Sequence, residues 1–381
     1  MPSPPMRSWE KALLGVPAAR VHTLVPGVLA AAVTVVIAMR IAAFLGAALL
    51  RAQGIDPAGR GSPISAISVA VILGMAVANL LPLPALLKPG LEFSVKKLLR
   101  LGIILVGLKL SLVDVFTKGL LGIPVVAVVI TTALVVSPRL ARLFGVSPRL
   151  GTLTAAATGI CGVTATVATA PVIGADDREV AYTVANVTLF GVLAMLLYPI
   201  VAHFFFGDAP VAAGLFLGTA IHDTSQVMGA ALSYREVYSD ETAFQVATVT
   251  KLTRNVFLVA VVPLLGFLHA RAGGDAAKRP PLSQLFPLFV LGFLAMTAVR
   301  TAGDYGYAAS AGLDDAEWKS LTKTLGESWA TALLATAMAS VGLSTNLRSF
   351  RELGLKPLWL GASAALLVGA TGLLLAALVG R

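Results

Sequence analysis

The sequence predicts an all-α protein that crosses a membrane many times. Of its 381 residues, 57% are hydrophobic and only 13% are charged, whereas soluble domains carry about 25% charged residues. The mean hydropathy is +0.87, and eleven apolar runs have the length, about 17 to 25 residues, that a helix needs to cross a bilayer. We therefore expect a polytopic membrane protein with about 11 transmembrane helices.

These runs divide the chain into a tail and two membrane halves. Residues 1–22 are polar and basic and predict a cytosolic tail. The first half, 23–206, holds spans one to six, and the second half, 207–381, holds spans seven to eleven. The expected spans are 23–50, 62–83, 98–116, 120–137, 150–173, 180–206, 212–232, 245–269, 283–300, 320–343 and 357–379. The first run lacks a small-residue cleavage site typical of a signal peptide, so we interpret it as a retained span.

The basic residues between the spans predict the orientation. Short cytoplasmic loops are enriched in Lys and Arg. With the N-terminus inside, the loops after spans two, four, eight and ten hold three such residues each, and the opposite loops hold at most two. We expect a cytoplasmic N-terminus and a C-terminus outside. The net charge of +10 does not indicate a nucleic-acid partner, because no basic cluster is interleaved with aromatic residues.

The fifth span, GTLTAAATGICGVTATVATAP at 151–171, is built from small residues and threonine. Each glycine at its centre costs about 1 kcal/mol against alanine in a helix. A broken helix inside a bilayer is tolerated where it lines a cavity, so a break here indicates a binding site. The alternative is close helix packing against small residues. The candidate ligand-binding residues of this span are Thr158, Gly159, Cys161, Gly162 and Thr164.

Span seven carries ionisable residues in GTAIHDTSQV. Helical spacing places Thr219, His222 and Gln226 on one face, with Asp223 beside them. Ionisable groups in a bilayer cost at least about 2.5 to 3.5 kcal/mol on insertion scales and mark functional sites. His222 has an ordinary pKa of about 6.5 for its residue type, which makes it a candidate carrier of a coupling proton.

Span eight adds two cations in TVTKLTRN. Lys251 shares a helix face with Thr248 and Asn255, and Arg254 follows three residues later. Snorkelling, or an ion pair from Asp223 to either cation that locks the two spans together, would give them a structural role only. Two cations, a carboxylate, an imidazole and an amide on consecutive spans favour an anion site instead.

Metal and enzyme chemistry have no support in the sequence. Cys161 is the only cysteine, and the histidines have no second ligand at metal-binding spacing. Serine elbows, phosphate-binding loops and HExxH patterns are absent from the sequence. We therefore expect no enzyme, no catalytic residue, no metal and no cofactor beyond a coupling proton or a sodium ion. For sodium, the candidate ligands are Asp223, Gln226 and backbone carbonyls.

A weak internal repeat relates GLKLSLVDVFTKGL, after span three, to GLSTNLRSFRELGL, after span ten. Spans an odd number apart run in opposite directions, as in the inverted repeats of many secondary transporters. The matching pairs are Gly107/Gly342, Leu108/Leu343, Leu112/Leu347, Gly119/Gly354 and Leu120/Leu355.

Several motifs together resemble a known family. The run TGICGVTATVATAPVIGADDREVAYTVANVTLFGVLAMLLYP is followed by GTAIHDTSQVMGAAL, VTKLTRNVFLVAVVPLLGF and AMASVGLSTNLR. In this order they resemble the YeiH-like sulfate exporter family of bacterial inner-membrane proteins, from about Pro26 onward. The sequence departs from the pattern at Val163, where a smaller residue is expected, and at Asp223, where Glu is commoner, which puts the size of the pocket in question.

The resemblance implies a distant similarity to the bile acid, arsenite and riboflavin transporter group. That similarity implies inverted repeats, broken helices at the membrane midplane and an elevator-like motion. The leading hypothesis is a secondary transporter that exports a small inorganic or organic anion such as sulfate or a sulfonate. The alternatives are a cation/proton antiporter with Asp223 as the titrating carrier, and a membrane receptor that does not transport. Expected partners are the anion, the lipid bilayer and, as one option, a second copy in a homodimer.

Overall fold

The computed structural model describes residues 10, 14–53, 55–57, 62–271, 286–310, 312–347 and 354–380. Every regular element in these ranges is helical, which confirms the predicted all-α class. The helices are α1 (Val25–Ala52), α2 (Ala66–Leu80), α3 (88–106), α4 (Leu112–Leu143), α5 (Pro148–Ala156), α6 (Val163–Ile173), α7 (Asp177–Phe206), α8 (Pro210–Ala220), α9 (Thr224–Tyr238), α10 (Glu241–Val256), α11 (Leu258–Arg271), α12 (Leu288–Ala302), α13 (315–344) and α14 (Leu355–Val379). Single π-helical turns interrupt α3 and α13, and another, Ala157–Cys161, continues α5.

Five helical segments are long and apolar enough to cross a membrane by themselves. They are Ala18–Ala52, which includes α1, then α4, α7, the consecutive helices α10 and α11, and α14. Helices α2, α6 and α8 are shorter apolar helices. Length and composition therefore support a membrane protein, and the count of 11 spans stays a prediction.

One predicted boundary is wrong. The sequence placed a loop at residues 117–119, between spans three and four, but α4 runs through it for 32 residues from Leu112 to Leu143. Lys118, which the sequence interpretation assigned to that loop, lies within α4. Its ammonium donates to Gln245 Oε1 at 2.7 Å and lies 3.4 Å from Asp114 Oδ1. The preceding span is α3, which ends at Val106 and is followed by a 3₁₀ turn.

Side-chain caps set the starts of several helices. Asp176 and Glu179 form a reciprocal capping box at α7, in which each side chain accepts from the other residue's backbone N–H. Ser147 caps α5 and Asp240 caps α10, and each side chain accepts one backbone N–H, from Leu150 and Ala243 respectively. These caps satisfy backbone donors that a helix leaves unpaired at its first turn.

Contacts group the chain into two compact units that alternate along the sequence. The first unit comprises residues 1–111 and 292–346, and the second comprises 112–291 and 347–381. The second unit therefore holds α4 to α11 together with α14. The predicted halves, 23–206 and 207–381, concern sequence symmetry and stay a prediction.

In the first unit, glycines allow the helices to approach closely. A Cβ on Gly342 of α13 would lie 2.4 Å from the carbonyl oxygen of Val71 in α2. A Cβ on Gly27 of α1 would lie 2.1 Å from the carbonyl oxygen of Leu87, just before α3. These helix pairs therefore pack backbone against backbone, as small residues permit in membranes.

The two segments of the weak repeat occupy corresponding places. Two residues after Gly107 the 3₁₀ turn ends at Lys109, and two residues after Gly342 helix α13 ends at Ser344. The chain then passes from the first unit to the second at Ser111 and again at Asn346, each four residues after its glycine. This agreement supports an internal repeat. Its inverted orientation stays a prediction, and residues 348–353 lie outside the described part.

In the second unit, α14 places glycines against polar side chains. A Cβ on Gly361 would lie 2.6 Å from the Asn186 carboxamide, and one on Gly369 would lie 2.3 Å from the Tyr198 hydroxyl. Asn186 Nδ2 also donates to the carbonyl of Pro357 at 2.9 Å. Helix α14 is thereby fixed against α7, a neighbour of the site described next.

Candidate functional site

The helix of span five is broken at Gly162, as the sequence predicts. The N–H of Gly162 donates to Ala157 O at 2.9 Å, which closes the π-helical turn after α5. Gly162 itself has φ +55° and ψ −117°, a conformation that residues with a Cβ rarely adopt. Helix α6 then starts at Val163, and its N-cap, being a glycine, supplies no side-chain acceptor.

A second break, which the sequence interpretation missed, divides span seven. Helix α8 ends at Ala220 and α9 begins at Thr224, so His222 lies in a non-helical link. The predicted helical face of Thr219, His222 and Gln226 is therefore wrong. Asp223 has extended backbone angles and forms a capping box with Gln226, because Asp223 Oδ1 accepts from Ser225 N at 2.9 Å and Gln226 Oε1 accepts from Asp223 N at 3.1 Å. The spacing Asp-x-x-Gln before an apolar run is a helix-start signal that could have located this break.

The two breaks lie side by side. A Cβ built on Gly162 would be 3.1 Å from Asp223 Oδ2 and 3.4 Å from Asp223 Cα. The carboxylate that caps α9 is thus also next to Gly162, the N-cap residue of α6. We call this place, residues 158–162 together with 219–224, the junction. All of it belongs to the second unit.

Arg254 of α10 joins the carbonyl ends of both broken helices. Its Nε donates to Gly159 O at 2.6 Å, and one terminal nitrogen donates to Thr158 O. The other terminal nitrogen donates to Thr219 O at 2.6 Å and Ile221 O at 3.1 Å. The guanidinium is fully buried. Its contacts are therefore with backbone carbonyls of two different helices.

Lys251, one turn earlier on α10, also donates to backbone carbonyls of both broken helices. Its Nζ donates to Ile160 O at 2.9 Å, to Ile221 O at 3.3 Å and to His222 O. An ammonium has three protons, so these three acceptors use all of them. Within the described residues, neither Lys251 nor Arg254 forms an ion pair with Asp223.

The two cations face the negative ends of helix dipoles. Helix C-termini carry partial negative charge and unpaired carbonyls. Six of the carbonyls at the junction accept bonds from Lys251 or Arg254, namely those of Thr158, Gly159, Ile160, Thr219, Ile221 and His222. At these six carbonyls, the protein's own charged side chains take the place that a metal cation would occupy at the carbonyl ends of broken helices.

Two buried side chains at the junction have polar atoms without a hydrogen-bond partner in the described structure. Neither ring nitrogen of His222 has a hydrogen-bond partner there, although the residue is only 1% exposed. Asn255 of α10 donates through Nδ2 to Thr224 Oγ1 at 3.0 Å, while its Oδ1 has no partner. Buried polar groups are normally satisfied by protein or by ordered water.

The remaining predicted residues differ in accessibility. Thr158 is buried, and its hydroxyl donates to Thr154 O at 2.8 Å. Cys161 is 3% exposed and packs in an apolar cluster with residues of α4 and α11. Thr164 is exposed in the first turn of α6, beside Val163, which is 37% exposed. Of the predicted residues in this span, Thr164 is the one whose side chain a ligand could reach directly.

Among the described residues, no group of three or more His, Cys, Asp or Glu side chains could hold a metal ion. The amide of Gln226 donates to Val187 O and Thr188 O of α7, at 3.3 and 3.4 Å, and so holds α9 against α7. The junction thus brings four helix ends and one half-buried carboxylate, Asp223, next to two buried cations of α10.

Comparison with known proteins identifies the family. A family model described as conserved hypothetical protein 698 matches residues 26–361. A UPF0324 membrane protein of Bacillus anthracis is 34% identical over 311 residues, which cover 81% of this chain and 85% of the relative. UPF0324 membrane proteins of Streptococcus pneumoniae serotype 4 (32% identity, 84% of this chain and 90% of the relative) and Clostridium tetani (30% identity, 78% and 85%) are also similar. No solved structure matches the chain significantly. The chain is thus a membrane protein that belongs to the conserved hypothetical protein 698 family, together with the UPF0324 membrane proteins.

Proposed function

We propose that the protein is a secondary transporter of a small anion, such as sulfate or a sulfonate, which binds at the junction. One observation carries this proposal. The carbonyl ends of both broken helices are bonded by Lys251 and Arg254, and Asp223 caps α9, so the group left for a ligand is the amino end of α6, which has no side-chain cap. In broken-helix transporters the amino ends bind anionic groups and the carbonyl ends bind cations.

The charge of the junction supports the same assignment. Lys251 and Arg254 contribute two positive charges, and Asp223 contributes one negative charge. The amino ends of two helices add about half a positive charge each. Thr164 and Val163, exposed at the start of α6, give an anion access to this positive region.

The division into units supports elevator-like alternating access. All ten predicted site residues lie within 112–291 and hence in one unit. A unit that contains the whole site can carry a bound anion without taking the site apart. In this proposal the protein acts in a bacterial inner membrane, exports its substrate and catalyses no covalent reaction.

The second candidate function is a cation/proton antiporter in which Asp223 is the titrating carrier. The observation that favours it is the position of this carboxylate, half-buried beside Gly162 and without an ion pair in the described residues. Against it stand the six carbonyls already bonded to cations, since a metal cation would need such oxygens as ligands.

Counter-flow in proteoliposomes tests the proposal. Purified protein is reconstituted with unlabelled sulfate or methanesulfonate inside, and labelled sulfate is added outside. We expect labelled sulfate to accumulate transiently above the level reached in protein-free liposomes. Absence of counter-flow with both anions, together with acidification of the lumen driven by a sodium or potassium gradient, would instead identify the antiporter.

A further inference from the structure

The two parts of span five lie side by side as a hairpin. Leu153 of α5 packs with Ile173 of α6, and the hydroxyl of Ser147, which caps α5, donates to Glu179 Oε1 in the first turn of α7. A continuous helix between Ser147 and Ile173 would be roughly 40 Å long, so both contacts require the chain to turn back at the break. The predicted span, 150–173, therefore enters and leaves at the same end of the second unit instead of crossing it.

A cavity of about 760 Å³ lies at this end of the hairpin, between α4, α5, the end of α6 and α11. The apolar residues that line it are Leu134, Pro138, Ala155, Ile173, Leu265 and Leu268. Leu268 is exposed on α11, as are its neighbours Leu264 and Phe267, and α11 belongs to a segment that is apolar enough to cross a membrane. Exposed apolar surface of this kind marks contact with a membrane, so the cavity opens toward the bilayer.

The polar residues that line the cavity include both signs of charge. They are Ser147, Arg149, Thr152, Glu179 and His269. Arg149 is exposed, and it forms no ion pair with Glu179 or with any other acidic residue that the structure describes. Glu179 accepts one hydrogen bond at each oxygen, from Ser147 and from the N–H of Asp176, and each carboxylate oxygen can accept a second one. The cavity thus offers a cation that donates and a carboxylate that accepts.

The polar and apolar residues are arranged by depth. Arg149, Glu179 and His269 each lie within the first or last three residues of a helix, whereas Leu134 and Leu265 lie more than one turn inside α4 and α11. This order matches a bilayer, in which head groups lie at the surface and acyl chains lie inside. Basic pockets between membrane helices at the cytoplasmic side bind lipid head groups, and the basic loops after α4 and α11 predict that this end is cytoplasmic.

We propose that this cavity binds a phospholipid whose head group carries a phosphate and a primary ammonium, as in phosphatidylethanolamine. The phosphate accepts hydrogen bonds from the guanidinium of Arg149, whose planar set of donors matches phosphate oxygens. The ammonium donates to the Glu179 carboxylate, and an acyl chain lies along Leu265 and Leu268. A volume of about 760 Å³ holds the head group and the start of an acyl chain, and the rest of the lipid remains in the bilayer.

Other occupants leave part of the cavity unmatched. An anionic phospholipid would place its net charge beside the Glu179 carboxylate, and a choline head group has no N–H to donate to that carboxylate. Free phosphate would leave the leucines uncovered. None of the ten predicted site residues lines the cavity, so the lipid and the transported anion bind at separate places.

Native mass spectrometry of the full-length protein tests this site. The purified protein is mixed with equal amounts of phosphatidylethanolamine, phosphatidylcholine and phosphatidylglycerol. We expect one bound phosphatidylethanolamine, retained several-fold more often than either of the other two lipids.

Two variants separate the contributions of the charges. Arg149→Gln should lower the retention of phosphatidylethanolamine by about fivefold, the scale of an exposed ion pair. Glu179→Gln should make the retention of phosphatidylethanolamine and phosphatidylcholine equal, and it keeps the capping box of α7, in which Gln also serves. Arg142→Gln is the matched control, because this exposed arginine in the last turn of α4 does not line the cavity, and the variant should bind as the wild type does.

The unfolding midpoint of each variant in lipid-free detergent shows whether it is folded. Thr152→Phe fills the cavity from α5 without changing a charge and should block retention, which gives a second test if a charge variant does not fold. Equal retention of the three lipids by the wild type, or undiminished retention by folded Arg149→Gln or Thr152→Phe, would overturn the proposal. A preference for phosphatidylglycerol would reject the role of Glu179, and displacement of the lipid by an equal concentration of inorganic phosphate would make the cavity a site for free phosphate. Failure of lipid binding would leave the proposed anion transport standing, because counter-flow tests that function separately.

Discussion

A Cβ on Gly191 would lie 1.9 Å from Oε1 of Gln226, so the carboxamide of α9 occupies the space of a missing side chain on α7. From there the carboxamide accepts the N–H of Asp223 and donates to the carbonyls of Val187 and Thr188. The start of α9, and with it the position of Asp223, therefore depends on a glycine in another helix.

Gly191→Ala should displace the Gln226 carboxamide. Since this is the flexible end of a side chain, the main cost is the lost cap, about 1 kcal/mol. We expect a lower midpoint of thermal unfolding in detergent and weaker counter-flow. The control is Gly119→Ala in α4, where the nearest atom to a new Cβ is 3.5 Å away. An alanine there should be neutral or stabilising by up to about 1 kcal/mol; equal midpoints for the two variants would contradict the assigned role.

Lys251→Met should destabilise the protein strongly. It removes the ammonium that donates to the buried carbonyls of Ile160 and His222, while Ile221 O keeps its bond from Arg254. Hydrogen bonds from charged groups contribute about 1.5 to 3 kcal/mol each. Lys118→Met is the matched control, because Lys118 is partly exposed and makes one hydrogen bond and one ion pair at the surface of the same unit. Exposed pairs contribute about 1 kcal/mol or less. The unfolding midpoint should fall by several degrees for Lys251→Met and by little for Lys118→Met, and a Lys251→Met protein as stable as the wild type would argue against the carbonyl contacts.

The residue types of the sequence predicted the break at Gly162, but they did not predict the one at His222. Gly159 and Gly162 are poor helix formers, and that property is readable without any tertiary information. At His222 the polar residues matched a helical period, which concealed the break, although the Asp223 and Gln226 capping box was present in the sequence. The misplaced loop at Lys118 has a different cause, because its partner Gln245 is 127 residues away.

The partners of Lys251 and Arg254 could not be found from side-chain patterns. The sequence offered Asp223 as the obvious counter-charge, whereas the structure uses backbone carbonyls. Every residue has a carbonyl, so only the positions of helix ends decide which ones are unpaired. The broken-helix architecture was thus predictable in part, and the distribution of charge within the site was not.

Gly162→Ala should strain the first break. A non-glycine residue held in a sparsely populated backbone region costs about 1 to 3 kcal/mol, and the new Cβ would press on Asp223 Oδ2 at 3.1 Å. We expect reduced counter-flow and a lower unfolding midpoint. Gly174→Asn is the control: Gly174 ends α6 with φ +62° and ψ 36°, a left-handed conformation that Asn tolerates, and nothing lies within 4 Å of its Cβ position. If counter-flow and the unfolding midpoint fell equally in both variants, the backbone conformation of Gly162 would not be what the site depends on.

The orientation of the chain can be tested with reporters fused after Arg381. The basic loops predict that this end lies outside. An alkaline phosphatase fusion should be active and a green fluorescent protein fusion dark. The opposite pair of signals would place the C-terminus in the cytoplasm.

Thr164→Val tests whether the amino end of α6 binds the substrate. The Thr164 side chain is exposed in the first turn, where a hydroxyl can donate to an anion that also approaches the backbone amides. Loss of one neutral hydrogen bond corresponds to about 0.5 to 1.5 kcal/mol, or roughly a 2- to 12-fold weaker affinity. The half-saturating sulfate concentration in counter-flow should rise by this factor while the unfolding midpoint stays constant. Thr152→Val on α5, whose hydroxyl donates to Pro148 O at 3.0 Å, should leave the half-saturating concentration unchanged. An unchanged value for Thr164→Val would move the anion away from α6 and toward the amino end of α9.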